Sequence, residues 1–180
     1  FSGGIRIDAG TVRVSNGGAL GTSTASNAIE FGNGTAANAV LEVRTDSTGA
    51  TTFGTKNVSA STNSGTIFLD RQIGGYGASN LNQTVGFGAF VFGNVRTLAL
   101  NGRNGYNFTI GTVGVNMGGN GAGNSQFTTG TINGSTTVNG NATIGDTTAG
   151  RFLVINTLGD MTFNGGILTT GSGGSNNFAK

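Results

Sequence analysis

Apolar residues along this 180-residue chain come in short alternating runs. Thr11-Val12-Arg13-Val14, Ala28-Ile29-Glu30-Phe31, Val40-Leu41-Glu42-Val43 and Thr66-Ile67-Phe68-Leu69 are the clearest in the first half. Thr97-Leu98-Ala99-Leu100, Asn107-Phe108-Thr109-Ile110, Thr112-Val113-Gly114-Val115 and Asp160-Met161-Thr162-Phe163 follow. A period of two puts one face of each run toward a core and the other toward solvent, which predicts short β-strands. Helices are not expected. Glycine interrupts every stretch long enough for three helical turns, and each one costs about 1 kcal/mol in a helix interior. Only Ala36 to Glu42 offers a short competing helical segment before it runs into a β-like pattern.

Asn-Gly pairs punctuate the runs, beginning at Asn16, Asn33, Asn101, Asn104, Asn120, Asn133, Asn139 and Asn164. Asn and Gly tolerate positive φ, so these pairs predict tight turns. In a meander they would be hairpin turns; in a stacked coil they would be corners between faces. Residues 130–145 favour the second arrangement. There Ile132, Val138 and Ile144 recur at six-residue spacing with Asn-Gly at 133 and 139. Six residues make one short face and a corner, and are too few for a hairpin with well-paired arms. Short faces covered by the next coil form a solenoid. The expected fold is therefore all-β, a parallel β-solenoid with short strands and Asn/Gly corners; a β-sandwich is the alternative. Residues 1–180 read as a single solenoid domain, a segment or repeat unit of a longer chain or fibre.

Composition sharpens this picture. Gly supplies 36 residues, and there is no Pro, Cys, His or Trp. Proline cannot donate to a sheet ladder, so its absence fits a backbone held almost wholly in ladders and tight turns. Only 9% of residues are charged. Stacked coils explain this, because like charges repeated at about 4.8 Å along a sheet repel. With 35% hydrophobic residues and a net charge of +2, the chain lacks the low hydrophobicity and high charge of disorder. Its nine cations are scattered, so no basic stripe for nucleic acid exists. No run approaches the length of a membrane helix.

The candidate chemistry is sparse. Without Cys or His, thiol catalysis, thiolate metal sites and the commonest general base are absent. The carboxylates are Asp8, Glu30, Glu42, Asp46, Asp70, Asp146 and Asp160. A glycosidase needs two such groups about 5–10 Å apart. Asp8, Asp70 and Asp160 lie at strand ends where neighbouring coils would stack them, and Asp70-Arg71 is the only adjacent acid–base pair. The competing reading is turn capping, which Asp does well. Gly118 to Ser125 resembles one calcium-binding β-roll nonapeptide, but Gly123 replaces its carboxylate. Thr pairs recur, at Thr51-Thr52 and Thr136-Thr137 for example. Ice-binding β-helices align Thr-x-Thr on one flat face, and only Thr22-Ser23-Thr24 has that spacing here. Phe87, Phe90 and Phe92 form the densest apolar patch. In a continuous strand Phe87 and Phe90 face opposite sides, which makes the cluster a candidate self-association contact; a bulge at Gly88 would instead return all three to the core. Tyr76 and Tyr106 are candidates for stacking on sugars. No catalytic residue, cofactor or metal site is expected.

Residues 1–21, FSGGIRIDAGTVRVSNGGALG, resemble the autotransporter-associated β-strand repeat. Phe1, Gly3, Gly4, Ala9, Gly10, Thr11 and Gly17 to Gly21 fall on its pattern, with Val12 in place of the usual Leu. Asn177 to Lys180 resembles the approach to the same repeat, so the chain reads as starting and stopping inside one. The resemblance implies a secreted bacterial passenger with a right-handed parallel β-helix. The expected role is an extracellular or cell-surface rod or filament subunit for adhesion, matrix or fibre formation. Its expected partners are further copies or tandem neighbours, and surface polysaccharide. A polysaccharide-binding or polysaccharide-cleaving β-helix is the alternative. Two or three clustered acids beside Arg71 or Arg103 would favour that alternative.

Overall fold

The computed structural model describes residues 2–22, 28–32, 38–46, 51–53, 56–60, 63–72, 81–93, 96–116, 123–129, 134–145, 151–157, 159–170 and 176–179. The chain opens with β1 (Ile5–Ile7), β2 (Gly10–Val14) and a 3-10 helix, η1 (Gly17–Leu20). Then come β3 (Ile29–Phe31), β4 (Ala39–Arg44), β5 (Thr51–Phe53), β6 (Val58–Ala60), β7 (Gly65–Asp70), β8 (Thr84–Phe87), β9 (Phe90–Phe92) and β10 (Thr97–Gly102). The remainder is β11 (Asn107–Ile110), β12 (Val113–Asn116), β13 (Gly123–Thr129), β14 (Thr136–Val138), β15 (Ala142–Gly145), β16 (Arg151–Thr157), β17 (Met161–Phe163), β18 (Ile167–Thr170) and β19 (Asn176–Ala179). All eight alternating runs named above contain a strand. Ala36 to Glu42 is not helical where described: β4 begins at Ala39, with Leu41 and Val43 buried and Glu42 on the outer side of the sheet. Asn101-Gly102 is no turn either, since it ends β10.

Every strand pairs in parallel, in three sheets. Sheet A runs β1-β3-β6-β9-β12-β15-β18, sheet B runs β2-β4-β7-β10-β13-β16-β19, and sheet C runs β5-β8-β11-β14-β17. From β3 onward the chain visits A, B and C in unbroken rotation, so each circuit lays one strand on each sheet. Register partners are separated by as little as 23 residues, Phe90 to Val113, and as much as 34, Thr51 to Val85. The six-residue step from Val138 to Ile144 is one corner of this rotation, from β14 in sheet C to β15 in sheet A; Ile132 lies outside the described residues.

The register keeps like on like. Ile29, Val58, Phe90, Val113 and Ala142 form one buried column on sheet A. Leu41, Ile67 and Leu100 form another on sheet B. On sheet C, Phe53 lies over Phe87 with ring centroids 5.3 Å apart and planes 11° from parallel. In the first circuit η1 takes the place of a sheet C strand. Asn16 caps it by accepting the Ala19 N–H at 3.0 Å, and Leu20 is buried.

The corner from sheet C to sheet A explains four of the 36 glycines. Gly88, Gly111, Gly140 and Gly165 stack there, one per circuit. A Cβ on Gly140 would lie 2.6 Å from Gly111 O, and one on Gly165 would lie 2.4 Å from the Gly140 carbonyl. Backbone meets backbone, so no side chain can swing aside. Gly140→Ala should lower stability by about 1–3 kcal/mol, the usual cost of overpacking. Gly3→Ala, where a Cβ meets nothing within 4 Å, should leave the melting temperature unchanged; thermal denaturation of both variants checks this. An opposite effect is expected at Thr136. Its hydroxyl is buried without a hydrogen-bond partner, in register between Phe108 and Met161. Thr136→Val should therefore raise stability by about 1 kcal/mol, because an unsatisfied buried hydroxyl costs about that much or more; the same melts test it.

Candidate functional site: an arginine–carboxylate ladder around Phe68

Charge on the described residues concentrates on the outer face of sheet B. Alternation along β2, β4 and β7 turns Arg13, Glu42, Arg44, Phe68 and Asp70 to the same face. Register sets Arg13 beside Glu42, Glu42 beside Phe68, and Arg44 beside Asp70. Opposite charges thus alternate across strands, the arrangement that stabilises cross-strand pairs. Arg13 Nε donates to Glu42 Oε2 and Arg44 Nε to Glu42 Oε1, both at 2.6 Å. Arg44 Nη1 donates to Asp70 Oδ2 at 2.8 Å. The other oxygen of Asp70 accepts from Asn104 Nδ2 and from the Arg71 N–H at 2.8 Å. Phe68 is held between two guanidinium groups, Arg44 at 5.5 Å and Arg103 at 5.4 Å from the ring centroid. Glu42, Phe68 and Arg103 help line a shallow depression of about 340 Å³.

Glu42 is only 6% exposed. Burial works to raise the pKa of its carboxyl, but the hydrogen bonds and charges of Arg13 and Arg44 outweigh it and hold the group below the ordinary carboxylate range. Behind this face Tyr106 is fully buried, and its hydroxyl donates to Thr45 O at 2.5 Å. Burial, with the charges of Asp46 and Asp70, pushes the phenol up to about 12. It stays protonated and serves as an internal donor.

Several sequence-based candidates are redistributed. Phe87, Phe90 and Phe92 are 3%, 0% and 0% exposed, so the self-association contact placed on them finds no exposed ring. The parity argument assumed one continuous strand, whereas Gly88 and Ala89 turn the chain from β8 in sheet C to β9 in sheet A and all three rings point inward. Tyr106 is likewise no sugar platform, being sealed in the core; Tyr76 lies outside the described residues. Asp8, Asp70 and Asp160 do not stack. Asp8 follows β1 and pairs with Arg6 at 2.8 Å, Asp70 ends β7 in sheet B, and Asp160 precedes β17 in sheet C. Asp146, Gly118 to Ala122 and Ser23-Thr24 fall outside the described residues. Among the described residues no three potential ligands gather to hold a metal ion, and no helix is long and apolar enough to cross a membrane. The pairing of Arg13, Glu42 and Arg44 with one another was not read from sequence; the alternating Val-Arg-Val and Leu-Glu-Val-Arg segments carried it, but only the register reveals which charges meet.

No family model, curated protein or solved structure matches this chain.

The ladder has a measurable signature. Since Glu42 titrates lower in the folded state than its ordinary 4.5, its ion pairs stabilise the fold above that value. They are lost as pH falls through the folded value. Urea midpoints should therefore fall on acidification, and Glu42→Gln should flatten that acid limb. At neutral pH the same variant should cost about 1.5–3 kcal/mol, the range for hydrogen bonds to charged partners.

Proposed function

We propose that this chain is a length of right-handed β-solenoid that serves as a structural rod on or outside a bacterial cell, supporting adhesion, matrix or fibre formation by end-to-end strand stacking, and that it is not an enzyme. The observation that carries this reading is the unbroken rotation through three parallel sheets over one continuous apolar core. Each circuit is a complete structural unit that covers its neighbour. Such an object resists bending and extension in one direction and offers its strand edges for further pairing. At the β17–β18 end, Met161 and Phe163 are only half-buried, and Ile167, in register over Ala142, is 42% exposed. One more circuit, from a second copy or from more of the same polypeptide, would cover them. The resemblance of residues 1–21 to the autotransporter-associated repeat supports the extracellular placement.

Binding of an acidic polysaccharide on sheet B is the second reading. It is favoured by Arg103, which is exposed and makes no ion pair among the described residues. Cleavage is disfavoured, because Glu42 and Asp70 are both engaged by Arg44 and Glu42 is held ionised. A general acid must carry a proton near the working pH.

Electron microscopy of the purified chain with intact mass in parallel tests the rod. A strand spacing of ~4.8 Å gives one chain a length of roughly 30 Å. Uniform fibres much longer than that, built from units of 17.8 kDa, are expected. Short rods that stay single at every concentration would remove the end-to-end subunit and leave a passive spacer.

A further inference from the structure

The outer face of sheet C differs from the other two. Its five strands read TTF, TVGF, NFTI, TTV and MTF, without a charged residue among them. Their aromatic residues, Phe53, Phe87, Phe108 and Phe163, all belong to the core or pack against it. Thr84 and Asn107, in register with each other, also face outward on β8 and β11, but only one outward column runs through all five strands. Thr52 pairs with Gly86, Gly86 with Thr109, Thr109 with Thr137, and Thr137 with Thr162. Four of five successive circuits thus present threonine at the same point of the face. The alignment joins residues 23 to 34 apart in sequence with no fixed period, so it is not visible along the chain.

We propose that this face binds ice, through the threonine column Thr52, Thr109, Thr137 and Thr162. Each threonine carries one methyl and one hydroxyl; Thr109, Thr137 and Thr162 follow one another at the inter-strand spacing of ~4.8 Å, Thr52 stands two spacings from Thr109, and the column spans roughly 19 Å. The strand ladder holds the spacing rigid, and the β-branched side chains have few rotamers to lose. Among the described residues, the hydroxyls of Thr109, Thr137 and Thr162 are bonded to no protein group, so their hydrogen-bonding capacity is directed at water. An array that fixes water at regular intervals without charge, whose strong hydration would disrupt an ordered layer, is matched to a crystalline water surface. A protein partner fits less well. The face measures roughly 24 by 10 Å, on the order of 250 Å², against ~800 Å² per partner in a stable interface. A crystalline glycan is disfavoured because no aromatic ring faces outward from these strands. The inference rests on the register of sheet C alone and does not depend on the rod assembling end to end.

Gly86 is the gap in the column, and it supplies the sharpest test. A Cβ there would lie 2.9 Å from Thr109 Oγ1, a terminal atom that a χ1 rotation moves away. Gly86→Thr should therefore complete the array. The experiment measures ice recrystallisation and crystal shape in solutions of the 180-residue chain and three variants, each first checked for the wild-type β-sheet circular dichroism spectrum and melting behaviour. The wild type should suppress recrystallisation and facet the crystals. Thr137→Lys should abolish both. Thr143→Lys, on the outer side of β15 in sheet A, should change neither, and Gly86→Thr should act at a lower concentration than wild type. Ice that grows as in an inert protein solution with both wild type and Gly86→Thr would overturn the proposal. So would activity that survives Thr137→Lys. Should Thr137→Lys fail to fold, Gly86→Thr decides alone: no gain over wild type overturns the assignment. Sedimentation of the chain with microcrystalline cellulose or chitin, lost in Thr137→Lys while ice is unaffected by any variant, would reassign the face to a glycan and likewise refute ice binding.

Discussion

Each circuit of this chain must lie in parallel register on the one before it, and that constraint governs everything else. At ~4.8 Å between strands, whatever stands at one position is touched by its counterpart above and below. A position is therefore never isolated; it is one member of a column. Apolar residues gain from this, as the Ile29-Val58-Phe90-Val113-Ala142 column shows. A repeated like charge would lose. The chain meets the problem by carrying few charges and by alternating those it keeps, so that Arg13 meets Glu42 and Arg44 meets Asp70. Corners face the same arithmetic in backbone terms. Gly111, Gly140 and Gly165 stand so close to the carbonyls beneath them that a methyl group at Gly140 or Gly165 would collide.

The column principle also divides what can be read from sequence from what cannot. Strands with clean alternation, such as Val40 to Val43 and Thr97 to Leu100, are legible because side-chain parity is local. The rotation through three sheets is only hinted at by the six-residue step from Val138 to Ile144. Circuit length varies from 23 to 34 residues, and corners of uneven length erase the period while preserving the register. The phenylalanines illustrate the cost. Read as one strand, Phe87 and Phe90 fall on opposite faces; with a corner between them, both enter the same core and their rings stand 5.7 Å apart. Parity holds within a strand and is reset at each corner, and nothing in GFGAFVFG marks Gly88-Ala89 as a corner rather than a bulge.

Functional surfaces were less legible than the fold for the same reason. The acids looked scattered because Glu42 and Asp70 are 28 residues apart, yet one arginine between them in space engages both. Thr136 and Thr137 looked like an undifferentiated pair, yet one hydroxyl is sealed in the core without a partner and the other faces water. In both cases the residue types were visible and their neighbours were not, because in parallel stacking the neighbour lies a full circuit away.

This separates the three outer faces in a way that follows from their charges. Sheet B binds its charges into a ladder, which stiffens adjacent circuits and leaves Arg103 exposed beside Phe68. Sheet A carries Arg6 and Glu30 in register at one end and small or aliphatic residues such as Val91 and Leu168 further along. Sheet C carries no charge in its strands and repeats one hydroxyl. Stacked circuits need their core columns and their glycine corners; they do not need their faces to differ. Thr at every other outer position would satisfy strand propensity equally well on any sheet. The concentration of an aligned, uncharged threonine column on a single face is thus the feature of this chain that core packing and corner geometry leave unexplained, and it is the place where a surface function separate from structure has the most to stand on.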